Sequence, residues 1–223
     1  MKIEIWSDFA CPFCYIGETA MMKALEAMGL AESTVVEFKS FQLDVNAKRV
    51  PGKDLNEMLA EKYNISYEQA KTSNANIIKM AAEVGLHYDF DHIKPNHTGM
   101  AHEMHKFAEA NGKGMEAAQL LFKAYLEDGV DIGEMISLLQ IAEQIDLPPE
   151  ALKEALDEKR YLEAVVTDQA IAHQQRIQSV PYFVIDRQYA ISGAQSIDYF
   201  KMALRQILNE TQGRESELPI TGQ

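Results

Sequence analysis

Residues Ser7 to Gly17, S-D-F-A-C-P-F-C-Y-I-G, hold both cysteines of this 223-residue chain, Cys11 and Cys14, in one tetrapeptide. Upstream, Lys2–Trp6 alternates apolar and charged residues as a strand does. Downstream, Phe13, Ile16, Ala20, Ala24 and Met28 recur near helical spacing until Gly29 closes the run. A Cys-x-x-Cys pair where a strand hands over to a helix is the arrangement of a redox-active dithiol. The opening turn of a helix carries unpaired N–H groups and partial positive charge, which favour a thiolate over a thiol. Pro12 suits the first helical turn, where its missing N–H costs nothing. Cys11 is expected to face solvent above those amides, with Cys14 shielded one turn inside. Attack by the outer sulfur and resolution by the inner one make up a complete thiol–disulfide exchange. A structural disulfide across so short a loop would stabilise little, and zinc would need further ligands from elsewhere.

Outward from this segment, Thr34–Leu43 is rich in β-branched and aromatic residues and reads as a second strand. After Pro51-Gly52 the pattern turns helical, with helices expected over Asp54–Tyr63, Ser66–Val84, Thr98–Ala110, Gly114–Asp128, Asp131–Ile145 and Pro149–Glu158. Ser66 with Gln69 forms a capping-box pattern, Gly85 a stop, and Pro148-Pro149 a sharp entry to the last of them. Tyr161 to Ile177 is again helical. A strand opening on proline follows at Val180–Asp186, then a turn, a short strand at Tyr189–Gly193 and a helix over Ser196–Leu208. The expected fold class is therefore α/β, a thioredoxin-like β-α-β-α-β-β-α core with a large all-helical insertion. Residues 1–50 form the first part of that core, 51–160 the insertion, 161–210 the second part, and 211–223 a flexible tail.

Lys and Arg number 21 against 34 Asp and Glu, a net charge of −13, so no basic surface awaits a phosphate backbone. No run of apolar residues is long enough to span a membrane. The opening residues enter a strand pattern without an apolar leader, so a cytoplasmic location is expected, where a dithiol serves as reductant, isomerase or sensor.

Three segments carry a resemblance: Ser7–Gly17, S-V-P-Y-F-V-I-D (Ser179–Asp186) and I-S-G-A-Q (Ile191–Gln195). A fourth, N-H-T-G-M-A-H (Asn96–His102), is similar to the start of an inserted helix. Together they resemble the DsbA-like branch of the thioredoxin superfamily, and within it the FrnE-like group. The resemblance implies that Cys11 is the nucleophile, Cys14 the resolving thiol and Pro181 a cis-proline facing them. It implies substrate contacts through Pro12, Phe13, Val180 and His102. The implied partners are cysteine-containing polypeptides or low-molecular-weight thiols, with no cofactor other than glutathione as a co-substrate. Two positions depart from the pattern. Arg176-Ile177-Gln178-Ser179 lacks the glycine common before the Val-Pro pair, which brings Arg176 toward the pocket. Glu103 stands where relatives often carry arginine, making the cleft more acidic if that helix lines it.

The Pro-Phe pair offers Cys11 no cation, so its acidity is expected to be raised only moderately. Asp8 suits either a proton relay to Cys14 or a cap on the loop. His97, His102 and His105 have ligand chemistry, but their pattern reads as hydrogen-bonded histidines, with no metal expected. Two other functions fit the same scaffold. One is a glutathione-dependent isomerase resembling 2-hydroxychromene-2-carboxylate isomerase or kappa-class glutathione transferases, which generally place serine where Cys11 stands. The other is a redox-gated binding or chaperone module.

Overall fold

The computed structural model describes residues 1–50 and 52–217, with side chains of the final helix described as far as Thr211. The sheet has four strands: β1 (Lys2–Ser7), β2 (Val35–Ser40), β3 (Tyr182–Ile185) and β4 (Tyr189–Ser192), in the order β2-β1-β3-β4. β1 runs parallel to β2 and antiparallel to β3, which pairs antiparallel with β4. Because β1 is central, both of its faces are covered: Ile3 and Ile5 are fully buried on one, and Glu4 and Trp6 are buried on the other. The β3–β4 hairpin closes through Asp186 and Arg187 at φ 49° and 56°, with the Gln188 amide donating to Ile185 O at 3.0 Å. Positive φ at both central positions matches the twist of the strands.

Nine α-helices are described: α1 (Pro12–Ala27), α2 (Leu55–Tyr63), α3 (Tyr67–Glu83), α4 (Gly99–Ala110), α5 (Gly114–Leu126), α6 (Met135–Gln144), α7 (Pro149–Asp157), α8 (Leu162–Gln174) and α9 (Ile197–Glu217). α1 packs along α9, and Phe200 of α9 meets Phe183 of β3 edge-on at 5.0 Å. α8 and α5 lie against β2, and the run from α2 to α7 fills the chain between β2 and α8. The Ser66/Gln69 capping box forms, and a second one forms at Asp54/Glu57, where both reciprocal hydrogen bonds are made.

The last helix passes Leu208 and continues to Glu217, so residues 211–217 are helical where the sequence reads a flexible tail over 211–223. Residues 209–217 contain no proline and several good helix formers, and Thr211 Oγ1 anchors back to Ile207 O at 2.9 Å. Residues 218–223 of that tail lie outside the described residues.

One buried charge cluster joins the helical run to the sheet. Lys106 of α4 donates from Nζ to Phe38 O of β2 at 2.9 Å, to Glu109 at 2.8 Å and to Asp168 of α8 at 2.9 Å. Asp168 also accepts from the Ser40 amide at 3.0 Å, and its carbonyl receives Trp6 Nε1 of β1 at 3.3 Å.

Candidate active site

Cys11 is the N-cap of α1, in extended conformation (φ −92°, ψ 112°), and Pro12 occupies the first helical turn. The Cys11 amide donates to Asp8 O at 2.9 Å and the Cys14 amide to Cys11 O at 3.1 Å, so the tetrapeptide is wound as one tight turn. Both thiols are free. Cys14 is fully buried; Cys11 is 4% exposed, which corrects the expectation that it faces open solvent. It opens instead into a cleft, with the Val180 carbonyl oxygen 3.8 Å from its sulfur closing one side. Burial, together with the neighbouring Cys11 sulfur, pushes the Cys14 thiol well above the ordinary thiol range. Cys14 therefore keeps its proton while Cys11 is free.

The Val180–Pro181 peptide is cis, and Pro181 O receives the Gly193 amide at 2.8 Å. α1 comes so close to this loop that a Cβ on Gly17 would lie 2.9 Å from Pro181 Cγ and 3.3 Å from both Ala194 Cα and Phe183 Cζ. The proline ring cannot give way as a flexible chain would. Gly17→Ala is expected to lose about 1 kcal/mol net, because crowding of about 1–3 kcal/mol exceeds the helix-propensity gain of about 1 kcal/mol. A thermal melt tests it, with a fall in Tm of roughly 2–4 °C expected and a rise counting against the close approach.

Asp8 caps rather than dangles. Its carboxylate accepts the Leu43 amide at 2.8 Å and the Ala10 amide at 3.4 Å, and lies 3.4 Å from His102 Nε2. Burial alone would raise this carboxyl, but His102, the Leu43 amide and Thr98 outweigh it and hold it below the usual value. His102 itself is buried behind Asp8 and against Phe9, ring centroids 4.9 Å apart, so the expected substrate contact is corrected: it does not line the cleft. His97 binds Val45 O and the Gly99 amide, and His105 is buried between Phe9 and Phe38. Among the described residues no group of three or more His, Cys, Asp or Glu is gathered to hold a metal ion.

The cleft encloses ≈ 990 Å³. Its floor is Cys11 with Pro12, and Phe13 stands at the rim, 37% exposed. α2 and α3 supply one wall and the segment from Phe90 to Thr98 another. Arg176 and Glu103 do not line it, which corrects both expectations about the departures. Arg176 adopts φ 58° at the end of α8 and borders a separate groove with His173 and Gln178. Glu103 is buried with Lys159 as the charge that eases it.

Two groups beside the dithiol carry no local signature in the sequence. Tyr88 donates its hydroxyl to Pro12 O at 2.7 Å and stacks on Tyr15, which stacks in turn on Phe122. Glu18, one helical turn beyond Cys14, is buried with neither carboxyl oxygen completing a hydrogen bond. Burial raises its pKa to about 8, with Gln119 easing the shift. A carboxyl whose folded pKa lies above its unfolded value binds more protons when folded, so stability falls as pH rises from about 4.5 to about 8. Glu18→Gln is expected to flatten that fall, gaining on the order of 2 kcal/mol over the parent at pH 8.5 and little at pH 4. Urea melts across pH check it; an equal gain at both pH values would refute the assignment.

The sequence profile of the DSBA-like thioredoxin domain matches residues 2–205. An uncharacterized protein of Bacillus subtilis (strain 168), YwbO, is 28% identical over 208 residues, covering 92% of this chain and 96% of that protein. The crystal structure of a probable DsbA oxidoreductase from Streptomyces coelicolor is 30% identical and superposes with a TM-score of 0.86, over 100% of this chain and 94% of that one. A cytosolic disulfide reductase, DsbM, from Pseudomonas aeruginosa shares the fold at 14% identity, with a TM-score of 0.66 over 94% of this chain and 99% of that one.

Proposed function

Because the chain belongs to the DSBA-like thioredoxin domain family, we propose that it is a thiol–disulfide oxidoreductase working through Cys11 and Cys14. The observation that carries the reading is the inequality of the two sulfurs: one at a helix start on the floor of a cleft, the other sealed behind it. The Cys11 thiolate attacks a substrate disulfide, forms a mixed disulfide and expels one substrate sulfur as a thiolate. Cys14 then attacks Cys11, the Cys11–Cys14 bond forms, and the second substrate sulfur leaves with the proton Cys14 gives up. Two electrons pass from the dithiol to the substrate, and the reverse sequence oxidises a substrate dithiol. Turnover as a reductase needs a recycling thiol, for which glutathione or another low-molecular-weight thiol serves as co-substrate. The retained protonation of Cys14 supports this order, because the resolving sulfur stays unreactive until a partner occupies Cys11. A reducing compartment such as the cytoplasm suits a chain whose two cysteines are both spent on this pair.

Cys14→Ala is the direct test. The variant is expected to accumulate a stable Cys11-linked adduct when mixed with insulin, seen as a mass increase that dithiothreitol reverses. A folded Cys14→Ala protein that forms no adduct overturns the proposal and returns the scaffold to the isomerase reading, which needs no second thiol.

A further inference from the structure

When Cys11 loses its proton, the first turn of α1 offers it one amide. Pro12 at the first helical position carries no N–H, and the Cys14 amide is spent on Cys11 O at 3.1 Å. The Phe13 amide is left: it takes no backbone acceptor among the described residues. It also holds one of the two positions from which an N-cap side chain receives a hydrogen bond. In the dithiol the sulfur makes no such bond and approaches Val180 O at 3.8 Å instead. That contact suits a thiol, which has a proton to give; a thiolate needs a donor.

The direction of the Phe13 N–H is set by a rigid group. It shares one planar peptide with the Pro12 carbonyl, so whatever fixes that oxygen fixes the donor as well. Tyr88 fixes it, donating its hydroxyl to Pro12 O at 2.7 Å. Tyr88 is itself held from both sides in the chain, because its neighbours are tied to the end of α5. The His87 amide donates to Glu127 Oε1 at 2.9 Å and the Asp89 amide to Leu126 O at 2.8 Å. Its ring stacks with Tyr15 and with Phe90, centroids 6.2 and 5.4 Å away. Burial, and after it the charge of the nearby Cys11 sulfur, push the phenol above its ordinary range, so the hydroxyl keeps the proton it donates. A hydrogen bond accepted by a peptide carbonyl also polarises the N–H of the same group.

Resting on the oxidoreductase reading, we propose that Tyr88 is a positioning residue for the dithiol: through the Pro12–Phe13 peptide it aims and polarises the amide that receives the Cys11 thiolate. The thiolate exists only in the reduced protein. Oxidation joins Cys11 to Cys14, removes the charge and leaves the amide with no anion to stabilise. The bond from Tyr88 therefore favours the reduced form and makes the protein a stronger oxidant.

The test is equilibration of the parent and Tyr88→Phe with glutathione redox buffers, quenched with acid, alkylated and read by mass. Two glutathione thiols reduce the Cys11–Cys14 bond and leave as one glutathione disulfide, their protons and two electrons passing to the protein dithiol. The equilibrium constant for that reduction is expected to fall about 3- to 10-fold in Tyr88→Phe, part of a charge-assisted hydrogen bond being lost once its donor is no longer aimed. Phenylalanine keeps the ring and its stacking, and circular dichroism verifies the fold. Tyr15→Phe removes a hydroxyl from the same aromatic stack, one not bonded to Pro12 O, and is expected to keep the parent constant. A purely structural hydroxyl would stabilise both redox forms alike, so a lower Tm with an unchanged or raised equilibrium constant overturns the proposal. An equal shift in Tyr15→Phe overturns it too. If neither glutathione nor dithiothreitol interconverts the two forms of the parent, the oxidoreductase reading fails and takes this inference with it.

Discussion

Cys11→Ser is expected to reduce insulin-disulfide reduction to the uncatalysed background, a loss of at least about 10³-fold. The chemistry leaves no partial substitute. A serine hydroxyl cannot form the S–S bond on which each half of the exchange depends, and its alkoxide is not populated near neutrality. Cys14 cannot take over, because it is fully buried and holds its proton. The fold should be untouched: Cys11 contributes a small side chain at the cleft floor, and the turn around it rests on backbone bonds to Asp8 and Cys14. Comparing initial rates of insulin precipitation with dithiothreitol as reductant checks the result. If Cys11→Ser instead protects insulin chains from aggregation as well as the parent does, the protein acts as a binding module, and the dithiol only gates it.

Lys106→Met is expected to cost about 3–5 kcal/mol of folding stability, the range for removing one partner of a buried ion pair. Lys106, its side chain buried, places three hydrogen bonds: to a carbonyl of β2, to the part-buried Glu109 one turn along its own helix, and to the buried Asp168 of α8. Methionine fills the volume but leaves Asp168 with the Ser40 amide and with Lys39 at 3.7 Å. A urea titration followed by far-UV circular dichroism measures the loss. Converting Asp168 to Asn in the same chain should recover part of it, since the charge left behind, rather than the missing contact, dominates the penalty. An unchanged midpoint for Lys106→Met would mean the cluster is not closed to solvent.

The parts of the site that the sequence makes legible are those fixed within a few residues. A cysteine pair at a strand-to-helix junction, with proline inside the helix start, declares its geometry through local backbone rules, and Cys11 stands at the N-cap as those rules require. The helices declare themselves by period and caps, and the Asp54/Glu57 box follows the same pattern as Ser66/Gln69. Burial does not declare itself that way. Cys11 is covered by the Val180 carbonyl, 169 residues later, and Asp8 is claimed by Leu43 and His102 from two other segments. His102 looks like a substrate contact on a helix start, and only the position of Phe9 and Asp8 in space makes it an interior group. Tyr88 shows the same limit: nothing around it in the chain indicates that its hydroxyl reaches back 76 residues to Pro12.

No residue of α2 is fully buried: Leu55, Met58 and Leu59 are half-buried, and the helix packs chiefly against α3. Unwinding it uncovers only half-buried side chains, so the free energy of that local opening lies below that of global unfolding. Its amides should accordingly exchange with deuterium long before those of β1, which sits in the middle of the sheet with its apolar side chains fully covered. The α2 side of the cleft is thus cheaper to deform than β1, the strand that leads directly into the turn holding the two sulfurs.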